Sequence, residues 1–195
     1  MHFNTSLRDE TPVLIRRLVP GDEDLIRKGM TQLSAESRYL RFMAAAATLS
    51  DAQLRAITNT GDRDQEAVGA LALDQEPPAP AGIARYVRVP GKPHEAEVSV
   101  TVVDHYQGKG LGTLLLAVLA ASALANGVTA FIAFVLLRNH RMLQVFEEMG
   151  AERRRVEESE VEMLIPLHKD PSLYPATPVG DVFRTAFRDL SPDTP

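Results

Sequence analysis

The residues with the clearest chemical potential in this chain are Gln107-Gly108-Lys109-Gly110-Leu111-Gly112. They follow Glu97-Val98-Ser99-Val100-Thr101-Val102-Val103, where polar and apolar residues alternate, and precede an apolar run from Leu114 to Ala125. The alternation predicts a strand with two distinct faces, and the run predicts a helix. A glycine turn between a strand and a helix aims unpaired backbone N–H groups at a single point. Glycine lacks the Cβ that would hold an anion away, and the helix N-terminus adds donors and partial positive charge. The chemistry such a turn can do is to cradle a phosphate.

The elements that must hold this turn can be read outward from it. Val13 to Leu18, Ala67 to Leu73 and Gly82 to Val89 read as three strands before it, and Val128 to Leu136 as a central one after it. Asp22 is placed to cap a helix carrying Leu25, Ile26, Met30 and Leu33, and Ser34 opens a second short helix through Met43. Ser50-Asp51-Ala52-Gln53 fits a capping box for a third. The link Asp74 to Pro80 reads as a hairpin loop. The run behind the glycine turn is apolar almost all round, which predicts a helix buried on every side. Asn139 to Met149 is a helix stopped by Gly150, and 151–156 with 161–167 form a closing hairpin. Residues 1–167 read as one domain.

The tail, 168–195, carries five prolines and is expected to be extended and poorly packed. Within it, Val179, Val182, Phe183, Ala186, Phe187 and Leu190 fall at helical spacing, predicting an amphipathic helix near 178–190. Its phenylalanines need cover. Docking on its own domain is one solution, and a homodimer or partner contact through the helix is the other.

Composition narrows the function classes. The chain has 195 residues, 45% of them hydrophobic, a net charge of −5 and no cysteine. Disulfides, thiolate nucleophiles and zinc–thiolate sites are excluded, and the scattered histidines show no metal spacing. With no basic block and no tryptophan, nucleic acid is not expected as a partner. The apolar run is too short to span a bilayer, so no membrane partner is expected. Met1-His2-Phe3-Asn4-Thr5 lacks a signal-peptide pattern, so the expected location is the cytoplasm.

Two familiar glycine loops do not fit. The third glycine of Gly-x-Gly-x-x-Gly is missing, and Lys109 is not placed as a Walker lysine. A nucleotide-binding Rossmann domain would carry its loop after the first strand. Here the turn follows the fourth predicted strand, and an Asn-bearing helix comes one strand later. That combination resembles the GNAT superfamily of acetyl-CoA-dependent N-acetyltransferases. Gln107, Gly110 and Gly112 match the family pattern Gln/Arg-x-x-Gly-x-Gly/Ala, and Asn139, Phe146 and Gly150 match the motif that follows. Leu33 to Phe42, Gly82-Ile83-Ala84-Arg85, Ala96-Glu97 and Asn139 with Met142 are similar to the acetyltransferase domain of bacterial protein lysine acetyltransferases. The resemblance covers about Val13 to Leu167.

The resemblance implies an α/β (α+β) fold with a mixed, mostly antiparallel sheet of six to seven strands flanked by helices, splayed between the fourth and fifth. It implies acetyl-CoA as cosubstrate and no metal. The pyrophosphate would take the N–H groups of Gly108, Lys109, Gly110, Leu111, Gly112 and Thr113, with Gln107 in the motif and Lys109 and Arg141 as outer charges. Val102 and Val103 would pair the pantetheine arm, which Asn139 and Met142 would also contact; an ordinary helix cap is the other reading of Asn139. Glu97 aligns with the glutamate that serves as general base in the protein lysine acetyltransferases, which must deprotonate an amine whose ordinary pKa is near 10.4. It shares the polar face with Ser99 and Thr101, and Glu95 is its nearest competitor. Many members place a tyrosine as general acid where this chain has Phe146, which cannot donate; a thiolate with a pKa near 8.5 leaves tolerably without one.

The expected reaction is acetyl transfer to a primary amine, either a protein lysine or a small molecule. The contrasting reading is a non-catalytic acyl-CoA-binding module whose tail helix recruits or regulates a partner.

Overall fold

The computed structural model describes residues 2–44, 46 and 48–190. Its strands are β1 (His2–Ser6), β2 (Pro12–Arg17), β3 (Gln65–Ala72), β4 (Ala79–Arg88), β5 (Glu95–Val102), β6 (Ala130–Leu136), β7 (Glu152–Val156) and β8 (Glu160–Pro166). Its helices are α1 (Glu23–Thr31), α2 (Ala35–Phe42), α3 (Asp51–Thr58), α4 (Leu111–Ala125), α5 (His140–Glu148) and α6 (Pro178–Leu190). The strands hydrogen-bond in the order β1-β2-β3-β4-β5-β6-β8-β7. β5 and β6 are parallel, whereas β1/β2, β2/β3, β6/β8 and β7/β8 are antiparallel. The mixed, mostly antiparallel sheet is therefore present, with eight strands where six to seven were expected. The added strand is β1, whose His-Phe-Asn-Thr-Ser sequence has a single strong apolar residue; pairing with β2, from His2↔Arg16 to Ser6↔Pro12, makes it a strand.

The register of β5 with β6 runs Glu95↔Ala130, Ala96↔Phe131 and Glu97↔Ile132, and ends there. Both strands continue, β5 to Val102 and β6 to Leu136, so they part beyond Glu97. This is the predicted splay.

Two compact units share the chain: Met1–Arg85 with Val100–Leu115, and Tyr86–Ser99 with Leu116–Pro195. In the first, Val13 and Ile15 are fully buried on the inward positions of β2, as period-two alternation requires. Ser50 and Gln53 form the predicted capping box on α3. Asp22 precedes α1 but makes no side-chain cap bond. Its carboxylate instead accepts from Arg16 at 2.6 and 2.7 Å and from the Val19 N–H at 2.9 Å. A bidentate guanidinium is the stronger partner for a carboxylate that is nearly buried.

In the second unit, the α4 residues Leu116 to Ala120 are fully buried, as an all-round apolar helix demands. The Asn126 amide donates to the buried Tyr86 hydroxyl at 2.9 Å just past the end of that helix. The tail departs from expectation. Tyr174 is 2% exposed, and its ring centroid lies 5.0 Å from that of Phe183 and 5.5 Å from that of Phe187. Burial raises the Tyr174 phenol to about 12. Thr177 caps α6, its hydroxyl accepting from the Gly180 N–H at 3.0 Å and donating to the Glu148 carbonyl at 2.8 Å. Pro171, Pro175 and Pro178 did not prevent packing, because three large aromatic side chains supply the apolar area. Val179, Phe183, Ala186 and Phe187 of α6 are buried by their own chain, Phe183 fully.

Among the described residues no helix is long and apolar enough to cross a membrane.

Candidate active site

The glycine turn lies wholly in the first unit. β5 ends where the Val103 N–H donates to the Ala81 carbonyl at 2.9 Å, and a 3-10 turn, Asp104–Tyr106, leads into the loop. Gly108 and Gly110 have φ of +81° and +89°, a region other residues adopt only with strain. The first bond into α4 is donated by the Leu114 N–H to the Gly110 carbonyl at 3.0 Å. The N–H groups of residues 108–113 donate to no acceptor among the described residues. That row of free donors stands at the start of a fifteen-residue helix, an arrangement able to receive an anion. Leu111 and Thr113 are buried, so their side chains serve the core and only their backbones serve the cradle.

Side chains brace the loop from outside. The Gln107 amide lies 3.1 Å from the Ser37 hydroxyl, 3.1 Å from the Val102 carbonyl and 3.3 Å from Asp104. Gln107 is thus a clamp between β5, α2 and the loop, and not a free ligand. The Asp104 carboxylate also accepts from the Ser34 N–H at 3.2 Å. Burial pushes the Asp104 pKa upward, but hydrogen bonds from Ser34 and Ser37 outweigh it and hold the group below its ordinary value. Lys109 is not a free charge. Its ammonium lies 2.9 Å from the Asp9 carboxylate and 5.4 Å from the centroid of the buried Tyr106 ring. The lysine holds Asp9 at about 2, helped by Thr11. The Tyr106 hydroxyl accepts from the Gln75 amide at 2.9 Å, and burial raises its pKa.

Glu97, Asn139 and Met142 lie in the second unit. Glu97 is exposed, at the last paired position of β5 with β6. Its carboxylate has no hydrogen bond or ion pair among the described residues. Glu95, two residues back on the same face, differs sharply. It binds Lys92 at 2.8 Å and Arg154 at 3.2 Å, and these cations, Lys92 foremost, hold its pKa down. A carboxylate committed to two cations is a poor base, so the structure separates two glutamates that periodicity could not.

Asn139 is the N-cap of α5, its Oδ1 accepting from the Met142 N–H at 3.2 Å. The cap occupies the oxygen and leaves the Nδ2 donors without a partner among the described residues. Met142 is half-buried, while Arg141 is exposed and forms no ion pair among those residues. Phe146 is 2% exposed, packed as a core residue. The bracing set, Asp9, Ser34, Ser37 and Asp104, was not picked out from sequence. Asp104 between strand and loop, and the Asp9-x-Thr11 turn, were the only local signals for it.

A mixed sheet splayed beyond Glu97, with a glycine turn of unpaired N–H groups between β5 and α4, defines the class: an acetyltransferase fold. The family model described as the Acetyltransferase (GNAT) family matches residues 30–151, and the chain belongs to that family. It is 31% identical over 144 residues to acetyltransferase Pat of Mycolicibacterium smegmatis, a match covering 70% of this chain and 40% of that protein. An acetyltransferase of Pseudomonas aeruginosa is 32% identical over 126 residues, covering 65% of this chain and 67% of that one. Among solved structures, the GNAT domain of S. lividans PAT superposes with a TM-score of 0.77 at 29% identity, covering 85% of this chain and 97% of that domain. The cAMP-binding acyltransferase from Mycobacterium smegmatis superposes with a TM-score of 0.59 at 26% identity, and this chain spans 56% of it.

Proposed function

We propose that this chain transfers an acetyl group from acetyl-CoA to a primary amine, with a protein lysine as the acceptor. The observation that carries the reading is the row of unpaired N–H groups at residues 108–113, built to receive a diphosphate. The similarity of Leu33 to Phe42, Gly82 to Arg85 and Ala96-Glu97 to protein lysine acetyltransferases supports the protein acceptor. In this reading the CoA pyrophosphate lies on the cradle, and Val102 and Val103 pair the pantetheine amides. The Asn139 Nδ2 donates to a pantetheine carbonyl, beside Met142. Gln107 contributes indirectly, by holding the loop's shape.

The amine arrives as an ammonium and must lose a proton before its lone pair can attack. Glu97 takes that proton, directly or through a water. The neutral nitrogen then forms a bond to the thioester carbonyl carbon, and a backbone N–H near Val102 stabilises the oxyanion. Reformation of the carbonyl breaks the C–S bond and releases the CoA thiolate, and the newly bonded nitrogen gives its remaining extra proton to solvent, leaving the neutral amide. Phe146 gives no proton to it. The supporting observation for Glu97 is its freedom from the cations that occupy Glu95.

The test is thiol release from acetyl-CoA in the presence of an amine panel containing lysine peptides, diamines and amino sugars. Release above the amine-free background with lysine peptides supports the reading. CoA binding with no release for any amine favours a non-catalytic acyl-CoA-binding module, and release confined to the small amines moves the acceptor to a small molecule.

A further inference from the structure

The N-terminal hairpin turn places an arginine against the cradle, a position outside every motif of the loop. The turn between β1 and β2 closes with the Leu7 N–H donating to the Thr11 carbonyl at 2.9 Å. From it the Arg8 N–H donates to the Lys109 carbonyl at 3.1 Å, stitching the turn onto the loop. The Arg8 side chain then runs across Gly110. Its Nε, Cγ and Cδ lie 3.4, 3.5 and 3.6 Å from the point a Cβ on Gly110 would occupy. Gly110 therefore serves two needs, a positive φ and the close passage of Arg8.

The charges around this turn are distributed unevenly. Lys109, the cation inside the motif, is committed to Asp9. The Arg8 guanidinium makes no ion pair or hydrogen bond among the described residues. A guanidinium stays charged at any working pH and offers planar paired donors that match two phosphate oxygens. The cradle thus has its own lysine neutralised and a free arginine supplied from about a hundred residues away in sequence.

We infer that Arg8 is a phosphate-binding residue of the cradle, its guanidinium pairing with the CoA pyrophosphate oxygens held by the loop N–H groups. The inference rests on the CoA reading above. The bond from the Arg8 N–H to the Lys109 carbonyl seats the turn on the loop and keeps Arg8 over Gly110.

The test is calorimetric titration of CoA and of 3′-dephospho-CoA into wild type, Arg8→Gln and Arg8→Lys at low and moderate salt. Glutamine keeps much of the aliphatic stem and the backbone bond to Lys109, and a thermal melt checks that each variant folds. Arg8→Gln is expected to weaken both ligands about tenfold and to flatten the salt dependence, with Arg8→Lys between. Equal affinities for wild type and Arg8→Gln overturn the inference while leaving the CoA reading intact. A loss seen only with the 3′-phosphorylated ligand overturns the pyrophosphate assignment. If wild type binds neither ligand, the CoA reading fails and the inference with it.

Discussion

Lys109 and Asp9 form an ion pair of 2.9 Å that ties the glycine loop to the turn between the first two strands. The pair changes what the loop's own lysine contributes. A lysine bound to a carboxylate, with its ammonium 5.4 Å from the Tyr106 ring centroid, fixes the shape of the loop more than it attracts a phosphate.

Replacing Asp9 by Asn should therefore improve CoA binding. The substitution removes a negative charge from the rim of the cradle and releases Lys109 toward the ligand. Solvent screens a pair of this kind, so the gain should be modest, with the dissociation constant falling by up to about fivefold. Calorimetric titration checks it. A weaker complex would mean that the shape imposed by the pair matters more than the charge it consumes.

The two glycines at the end of the motif should respond differently to alanine. Gly110 has a φ of +89° and Arg8 3.4 Å from the would-be Cβ, so Gly110→Ala strains the backbone by about 1–2 kcal/mol and displaces the arginine. Gly112 lies inside α4, where a Cβ would meet Val102 Cγ2 at 3.5 Å, an ordinary contact. Gly112→Ala should leave CoA binding within about twofold and raise helix stability by up to about 1 kcal/mol. Thermal melts with and without CoA separate the two outcomes.

Acid should destabilise the first unit through Asp22. The Arg16 guanidinium, with the Val19 N–H, holds this carboxyl below its ordinary 3.8. A folded-state pKa below the unfolded one means stability that is fully present above pH 3.8 and is lost as the pH falls through the folded value. Melting temperature followed from pH 6 downward should drop for wild type below about pH 4. In Asp22→Asn the protein should start less stable, by about 3 kcal/mol, because Arg16 is left without its partner, and this part of the acid dependence should vanish.

Much of this was legible in the sequence because it is local. A glycine turn between an alternating strand and an apolar run carries its own geometry, so the unpaired N–H groups of the turn at residues 108–113 and the burial of α4 could be read directly. Asn139 was legible as either ligand or cap, and the structure divides the amide: the oxygen caps α5 and the nitrogen is left over. What could not be read depends on residues far apart in the chain. β1 exists because β2 pairs with it. Asp22 abandons its helix for an arginine on β2. Glu95 and Glu97 look alike until Arg154 arrives from β7 to occupy the first. The tail packs because Tyr174, Phe183 and Phe187 meet, which proline content conceals.

The central claim is that a CoA-binding cradle delivers an acetyl group to an amine deprotonated by Glu97. Its most direct test is mass spectrometry of lysine-peptide acetylation over time, with wild type and Glu97→Gln, alongside the CoA dissociation constant of each. Glu97→Gln is predicted to lower the acetylation rate by about a hundredfold or more while CoA binding stays unchanged. Equal rates for the two proteins would contradict the account.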